Sequence, residues 1–253
     1  MNGKSSENTE YESSIGLPGF LLVLLAMVIG TLVAGLLLPS WMPNLANSLL
    51  GPDPKAFWYL SRGSAFVALT LLWASMALGL TITNKMARIW PGAPAAFAIH
   101  EYVSLLGLAF SIFHGLILMG DHYINFDLAQ VVVPFAAHNY RPLLVGFGQL
   151  GFYVWLIVAL SFYVRSHIGA KTWRALHYVS FLTYVMALYH SITSGTDSSS
   201  SWASWYYWIS AGSLLFLLMH RIVVSVATRL SRTAARKPSP SPAPVRDAAQ
   251  TVR

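Results

Sequence analysis

Six stretches of this chain stay apolar for about the depth of a membrane. They cover residues 17–38, 57–82, 97–119, 143–164, 173–193 and 204–228. A spanning helix needs about 20 such residues, and inside lipid a helix satisfies its own backbone hydrogen bonds. Pro39, Pro43, Pro52, Pro54, Pro91, Pro94, Pro134 and Pro142 all fall between the stretches, where they break no span. Composition agrees: 55% of the residues are hydrophobic and 10% charged, against about 25% charged in a soluble domain. The expected fold is an all-α membrane protein, a six-transmembrane helix bundle surrounded by lipid.

Six crossings put both termini on one side. That side collects thirteen of the sixteen basic residues, among them Lys85, Arg88, Arg165, Lys171 and Arg174; Lys55, Arg62 and Arg141 lie opposite. Positive charge accumulates on cytoplasmic loops, so both the N and the C terminus are expected inside. The net charge of +7 is thereby a matter of orientation, and no nucleic-acid partner is expected. Residues 1–16 set Lys4 against Glu7, Glu10 and Glu12. Without a basic start or a small-residue cleavage site, the first apolar stretch reads as a retained anchor. The expected organisation is a cytoplasmic segment 1–16, a helical domain 17–230 and a disordered tail 231–253 containing Pro238, Pro240, Pro242 and Pro244.

Two of the stretches carry paired histidines: His100 with His114, and His177 with His190. Fourteen and thirteen residues separate them, roughly 20 Å along a helix. Imidazole is costly in hydrocarbon unless something there needs it, and a neutral imidazole ligates haem iron. The third and fifth stretches run in the same direction, so depth pairs His100 with His177 and His114 with His190. Each pair offers two axial ligands, and together they suit two stacked haems. Fourteen residues at 100° each return to within about 40° of one face, whereas thirteen miss by about 140°. The fifth helix therefore needs a kink or a local 3₁₀ or π turn, or the two haems lie in different orientations. The chain has no cysteine, which excludes thiolate-held iron–sulfur clusters and covalent haem.

Arg62-Gly63-Ser64-Ala65, Asp121-His122-Tyr123-Ile124-Asn125-Phe126, Tyr140-Arg141-Pro142-Leu143, Trp173-Arg174-Ala175-Leu176-His177 and Gly195-Thr196-Asp197-Ser198 accompany these histidines. Over residues 55–225 the chain resembles the bacterial ferric reductase-like transmembrane proteins. Its core is similar to that of NADPH oxidases and eukaryotic ferric reductases, and to the haem subunit of the periplasmic methionine sulfoxide reductase. The resemblance implies two haem b groups ligated by His100, His114, His177 and His190. It also implies an oxidoreductase component that moves electrons to an external acceptor such as ferric iron. No glycine-rich dinucleotide turn is present, so the expected electron donor is a separate flavoprotein or a quinol. The alternative is a non-catalytic electron-transfer or structural subunit of a larger membrane redox or photosynthetic complex, with partners in the membrane.

Arg62 and Arg174 are candidate partners for haem propionates, since guanidinium matches carboxylate; each also suits the membrane interface. Asp121, His122, Asp127, His138 and Asp197 in the outer loops match no tight metal spacing and read as solvated loop residues. Trp202, Trp205, Tyr206, Tyr207 and Trp208 read as an aromatic belt. Gly146, Gly148 and Gly151 mark a close approach of a helix or a ring.

Overall fold

A computed structural model describes residues 15–41, 56–86, 89 and 92–235. Among them the chain is all-helical, with no strand. Five helices are long and apolar enough to cross a membrane. They are α1 (Leu17–Trp41), α2 (Ala56–Thr83), α3 (Ala93–Ile117), α5 (Pro142–Tyr163) and α9 (Ser201–Ala235). Short helices α4 (Leu128–Val132), α6 (Arg165–Ile168), α7 (Ala170–Tyr178) and α8 (Ser180–Ser194) complete the set.

The 173–193 stretch departs from the expected single span. It is divided between α7 and α8, neither of which reaches membrane length alone. Val179 joins them. Its backbone stays in the right-handed helical region, but its N–H donates to Leu176 O at 2.9 Å, a 3₁₀ bond. The α-helical ladder resumes where Thr183 N–H meets Val179 O at 3.1 Å. The other end of the domain also differs. α9 runs through Ala235, past the expected boundary at 230, because the residues before Pro238 are good helix formers. Residues 1–14 and 236–253, which hold most of the two expected terminal segments, lie outside the described residues.

α2 and α3 form the most closely packed pair, and α5 packs on α8. α1 lies against α3, and α9 against α2. Leu69, Leu72 and Met76 of α2, Leu108 of α3, Trp155 of α5, Tyr184 of α8 and Tyr207 of α9 meet in one buried core. Gly107 makes the centre possible. A Cβ there would lie 2.5 Å from Trp155 Cη2 and 3.2 Å from Leu71 Cβ, so the indole rests directly on the α3 backbone.

Polar groups inside the bundle bond across helices, as buried polar groups require. Trp73 Nε1 donates to Ser213 Oγ at 2.9 Å, Tyr184 Oη to Ser210 Oγ at 3.0 Å, and Tyr207 Oη to Ser191 O at 3.3 Å. Tyr163 Oη donates to the buried Glu101 at 2.9 Å, and Phe20 of α1 stacks on the same Tyr163 ring. The aromatic cluster at the start of α9 therefore divides by role. Trp205 and Trp208 are 68% and 75% exposed, as a belt would be, whereas Tyr207 is buried against Phe66.

Gly107→Ala should cost about 1–3 kcal/mol, the range for overpacking a filled core. The expected readout is a lower melting midpoint in detergent, partly recovered in the double variant with Trp155→Phe. An unchanged midpoint in G107A would show that the indole can retreat freely.

Candidate functional site

Four imidazoles meet in two pairs. His100 of α3 faces His177 of α7 with ring centroids 6.1 Å apart, and His114 of α3 faces His190 of α8 at 6.3 Å. The rings cross at 68° and 73°. The helices that carry them are not packed closely on each other. α3 makes its main contacts with α2, α1 and α5, while α8 makes its own with α5 and α2. Each pair thus spans a space between helices.

Three of the rings are held by backbone carbonyls. His100 Nδ1 lies 2.9 Å from Ser75 O, His114 Nδ1 2.8 Å from Ser61 O, and His190 Nδ1 2.8 Å from Leu144 O. A carbonyl only accepts, so each Nδ1 carries the proton and a neutral ring leaves Nε2 free to ligate. Ser61 and Ser75 are buried on α2 and stand fourteen residues apart, the same interval as their histidines on antiparallel α3. Both helices therefore return to the shared face together. The serine hydroxyls extend the clamp: Ser61 Oγ lies 2.9 Å from His114 Nδ1, and Ser75 Oγ lies 2.6 Å from Ser104 Oγ.

Glycine makes room for the second pair. A Cβ on Gly148 would lie 2.5 Å from His190 Nδ1 and 2.7 Å from its Cε1, so α5 must be bare where the imidazole passes. On the other side, a Cβ on Gly79 would meet His100 Cε1 at an ordinary 3.5 Å. A largely apolar cavity of about 570 Å³ opens beside His114 and His190, lined in part by Leu69, Leu72 and Trp155. That volume falls within the roughly 300–1,000 Å³ usual for ligand pockets.

Arg62 also lines this cavity, and the structure pairs it with Asp197. Arg62 Nε donates to Asp197 Oδ2 at 2.7 Å, and a second guanidinium nitrogen meets Oδ1. Arg174 is exposed on α7. The residue that touches His177 is Trp173, one turn earlier, with ring centroids 5.4 Å apart. Trp173 Nε1 is buried without a hydrogen-bond partner; among the described residues only Asn84 Oδ1 shares that condition.

The remaining loop candidates have structural work. Asp121 is buried, not solvated, and accepts from the N–H groups of Tyr123 and Ile124 at 3.0 and 2.8 Å. Asp127 and Gln130 form the capping box of α4. His138 lies 2.9 Å from Gln130 Nε2, and His122 is exposed. No group of three or more His, Asp or Glu side chains suited to a metal ion occurs among the described residues.

Haem iron needs only two protein ligands, one on each face. Two metal–imidazole bonds of about 2 Å, plus about 1 Å from each nitrogen to its ring centre, put ring centres roughly 6 Å apart. Both pairs match that separation, and the carbonyl contacts at Nδ1 of His100, His114 and His190 leave the other nitrogen of those three rings available to the same group. The sequence pattern pointed to Trp173 only as part of the Trp173–His177 run and did not point to Ser61 or Ser75. The fourteen-residue serine interval was the available signal for the two serines.

Comparison with protein-family models, curated proteins and solved structures finds no match to this chain.

Asp197→Asn removes the charge that ties the α8–α9 connection to α2. Amide exchange across residues 195–200 should then quicken several-fold while α5 and α8 keep their protection. Unchanged exchange would show that the ion pair does not hold the connection.

Proposed function

We propose that this chain is a membrane cytochrome b, in which His100 with His177 and His114 with His190 each hold one haem b. The two imidazole pairs, at ligand separation and at two depths of one bundle, carry this reading. α7 and α8 together form the sixth crossing, both termini lie in the cytoplasm, and the membrane is the bacterial cytoplasmic one. The first pair is then the inner site and the second the outer site. The likeness of the histidine pattern to ferric reductase-like proteins supports the same reading. Electrons enter at the inner site from a flavoprotein or quinol and leave from the outer site to an acceptor such as ferric iron.

When bound, haem supplies a one-electron centre at each pair. The chain does the positioning. α3 sets the two sites about 20 Å apart along its axis. The carbonyls of Ser61, Ser75 and Leu144 fix ring orientation and tautomer, the outer-shell role that makes a histidine ligand more basic. Gly148 gives the His190 ring its place. Leu108 and Trp155 fill the layer between the sites and keep it dry.

Purified protein should contain two haem equivalents per chain by pyridine haemochrome. His114→Ala or His190→Ala should leave one, and Gly148→Ala should lower occupancy of the outer site while Gly79→Ala keeps both. A preparation without a b-type Soret band, or two equivalents retained in both histidine variants, would sink the assignment. Because the chain has no cysteine, single cysteines introduced at His122 and Thr172 can report topology. Labelling by an impermeant maleimide from the periplasm is expected at the first position alone.

A further inference from the structure

The walls of the cavity beside His114 and His190 are not held alike. Residues 121–140 roof it with polar ties. Gln149 Nε2 donates to Gln130 O at 2.7 Å and to Val131 O at 2.8 Å, Asn139 Nδ2 to Ile124 O at 3.1 Å, and Tyr140 Oη to Ser194 O at 2.9 Å. Opening this roof breaks several hydrogen bonds at once. α1, which lies across the seam between α3 and α5, contributes Leu24 and Val28. They stand one turn apart on one face and form no hydrogen bond through their side chains. From Phe20 to Ala34 the one polar side chain of α1 is Thr31, whose hydroxyl donates to Met27 O of the same helix at 2.8 Å. Lipid chains are as apolar as leucine, so this wall can exchange its packing for lipid at little cost. α1 is also seated unevenly. Near its N-terminus Phe20 is fully buried and stacks on Tyr163 of α5, ring centroids 4.4 Å apart, and Tyr163 bonds Glu101 of α3. Nearer its C-terminus a second cavity of about 370 Å³ lies between Thr31, Leu32 and Leu36 and the Phe57, Leu116 and Ile117 side chains. The helix is thus pinned at one end and bordered by open space beyond it.

We infer that α1 is the lateral door of the site between His114 and His190: haem enters this cavity from within the membrane, and Leu24 and Val28 close over it. This rests on the two-haem reading above. The apolar body of haem passes among acyl chains without losing water, whereas passage through the roof requires its hydrogen bonds to break. Phe20 and Tyr163 are the pivot. The Glu101 carboxylate that holds Tyr163 follows His100 in the chain, so the pinned end of α1 belongs to the other pair. The haem between His100 and His177 is therefore indifferent to Leu24 and Val28. The role of these two side chains is to retain the group; ligation remains with the histidines.

The test is transfer of haem from the purified holoprotein in lipid nanodiscs to excess apomyoglobin, since the way out is the way in reversed. With Leu24→Ala and Val28→Ala together, one of the two haem equivalents should leave about tenfold faster, in keeping with the apolar contact removed. The other equivalent should leave at the wild-type rate. In the His114→Ala background, which keeps only that other haem, the double substitution should change nothing. Asp127→Ala with Asn139→Ala, which removes the cap of α4 and a tie of the roof, should release both equivalents as the wild type does. Equal release from L24A/V28A and wild type overturns the inference, as does faster release from D127A/N139A; the two-haem reading stands in either case. A door, unlike a fixed wall, has to move. Because the chain has no cysteine, Leu32→Cys and Ile117→Cys can be joined across the second cavity by a bifunctional maleimide. The cross-linked protein should release the same equivalent several-fold more slowly than protein capped with N-ethylmaleimide. Equal rates make α1 a fixed wall and overturn the inference. This comparison keeps Leu24 and Val28 and decides the matter if L24A/V28A does not assemble. A wild-type protein without haem overturns the reading on which the inference rests.

Discussion

Everything in this bundle depends on where the second nitrogen of each buried imidazole goes. A hydrocarbon interior has no water to take an unpaired N–H. His100, His114 and His190 give their Nδ1 protons to carbonyls of α2 and α5. That fixes the register of α2 against α3, because Ser61 and Ser75 must both arrive opposite a histidine. The close α2–α3 packing, with Gly107 against Leu71, follows the same register, and Gly107 also leaves α3 open to Trp155 of α5. The helices are thus locked by the groups that leave the remaining ring nitrogens available.

The second constraint is separation. α3 and the α7–α8 segment approach through their histidine side chains, at 6.1 and 6.3 Å between ring centres, while their backbones pack elsewhere. Filling that space with helix contacts would have brought more dispersion energy. The structure instead keeps an apolar cavity beside His114 and His190 and places Gly148 where any side chain would push His190 aside. A bundle that only needed to pack would have no reason to meet both conditions.

Thirteen residues between His177 and His190 do not return a straight α-helix to one face, yet both rings find partners on α3. The interruption at Val179 accounts for part of this. A 3₁₀ step turns about 120° per residue where an α-helical step turns about 100°. The same interruption is why the segment does not read as one membrane-length helix. The Arg62–Asp197 pair, between residues 135 apart in the chain, likewise ties the α8–α9 connection to α2 on the cavity side.

The sequence by itself determined the helical class, five of the long apolar segments and the four histidines that lie within apolar helical stretches. Apolar length and fourteen-residue spacing are local properties, set by helical rise and turn. The thirteen-residue spacing left a local break or a different ligand orientation open, and the glycines near 148 left open whether a helix or a ring comes close. Tertiary structure alone decided the rest. Asp121 looked like a solvated loop residue and is a buried cap, because its partners are backbone N–H groups that any sequence would offer. Arg62 meets Asp197, and Trp173 keeps an unpaired N–H, because those outcomes depend on segments brought together from far along the chain. Which nitrogen of His100, His114 and His190 is free is settled by carbonyls on other helices, and a carbonyl is a group that every residue carries and no sequence pattern marks.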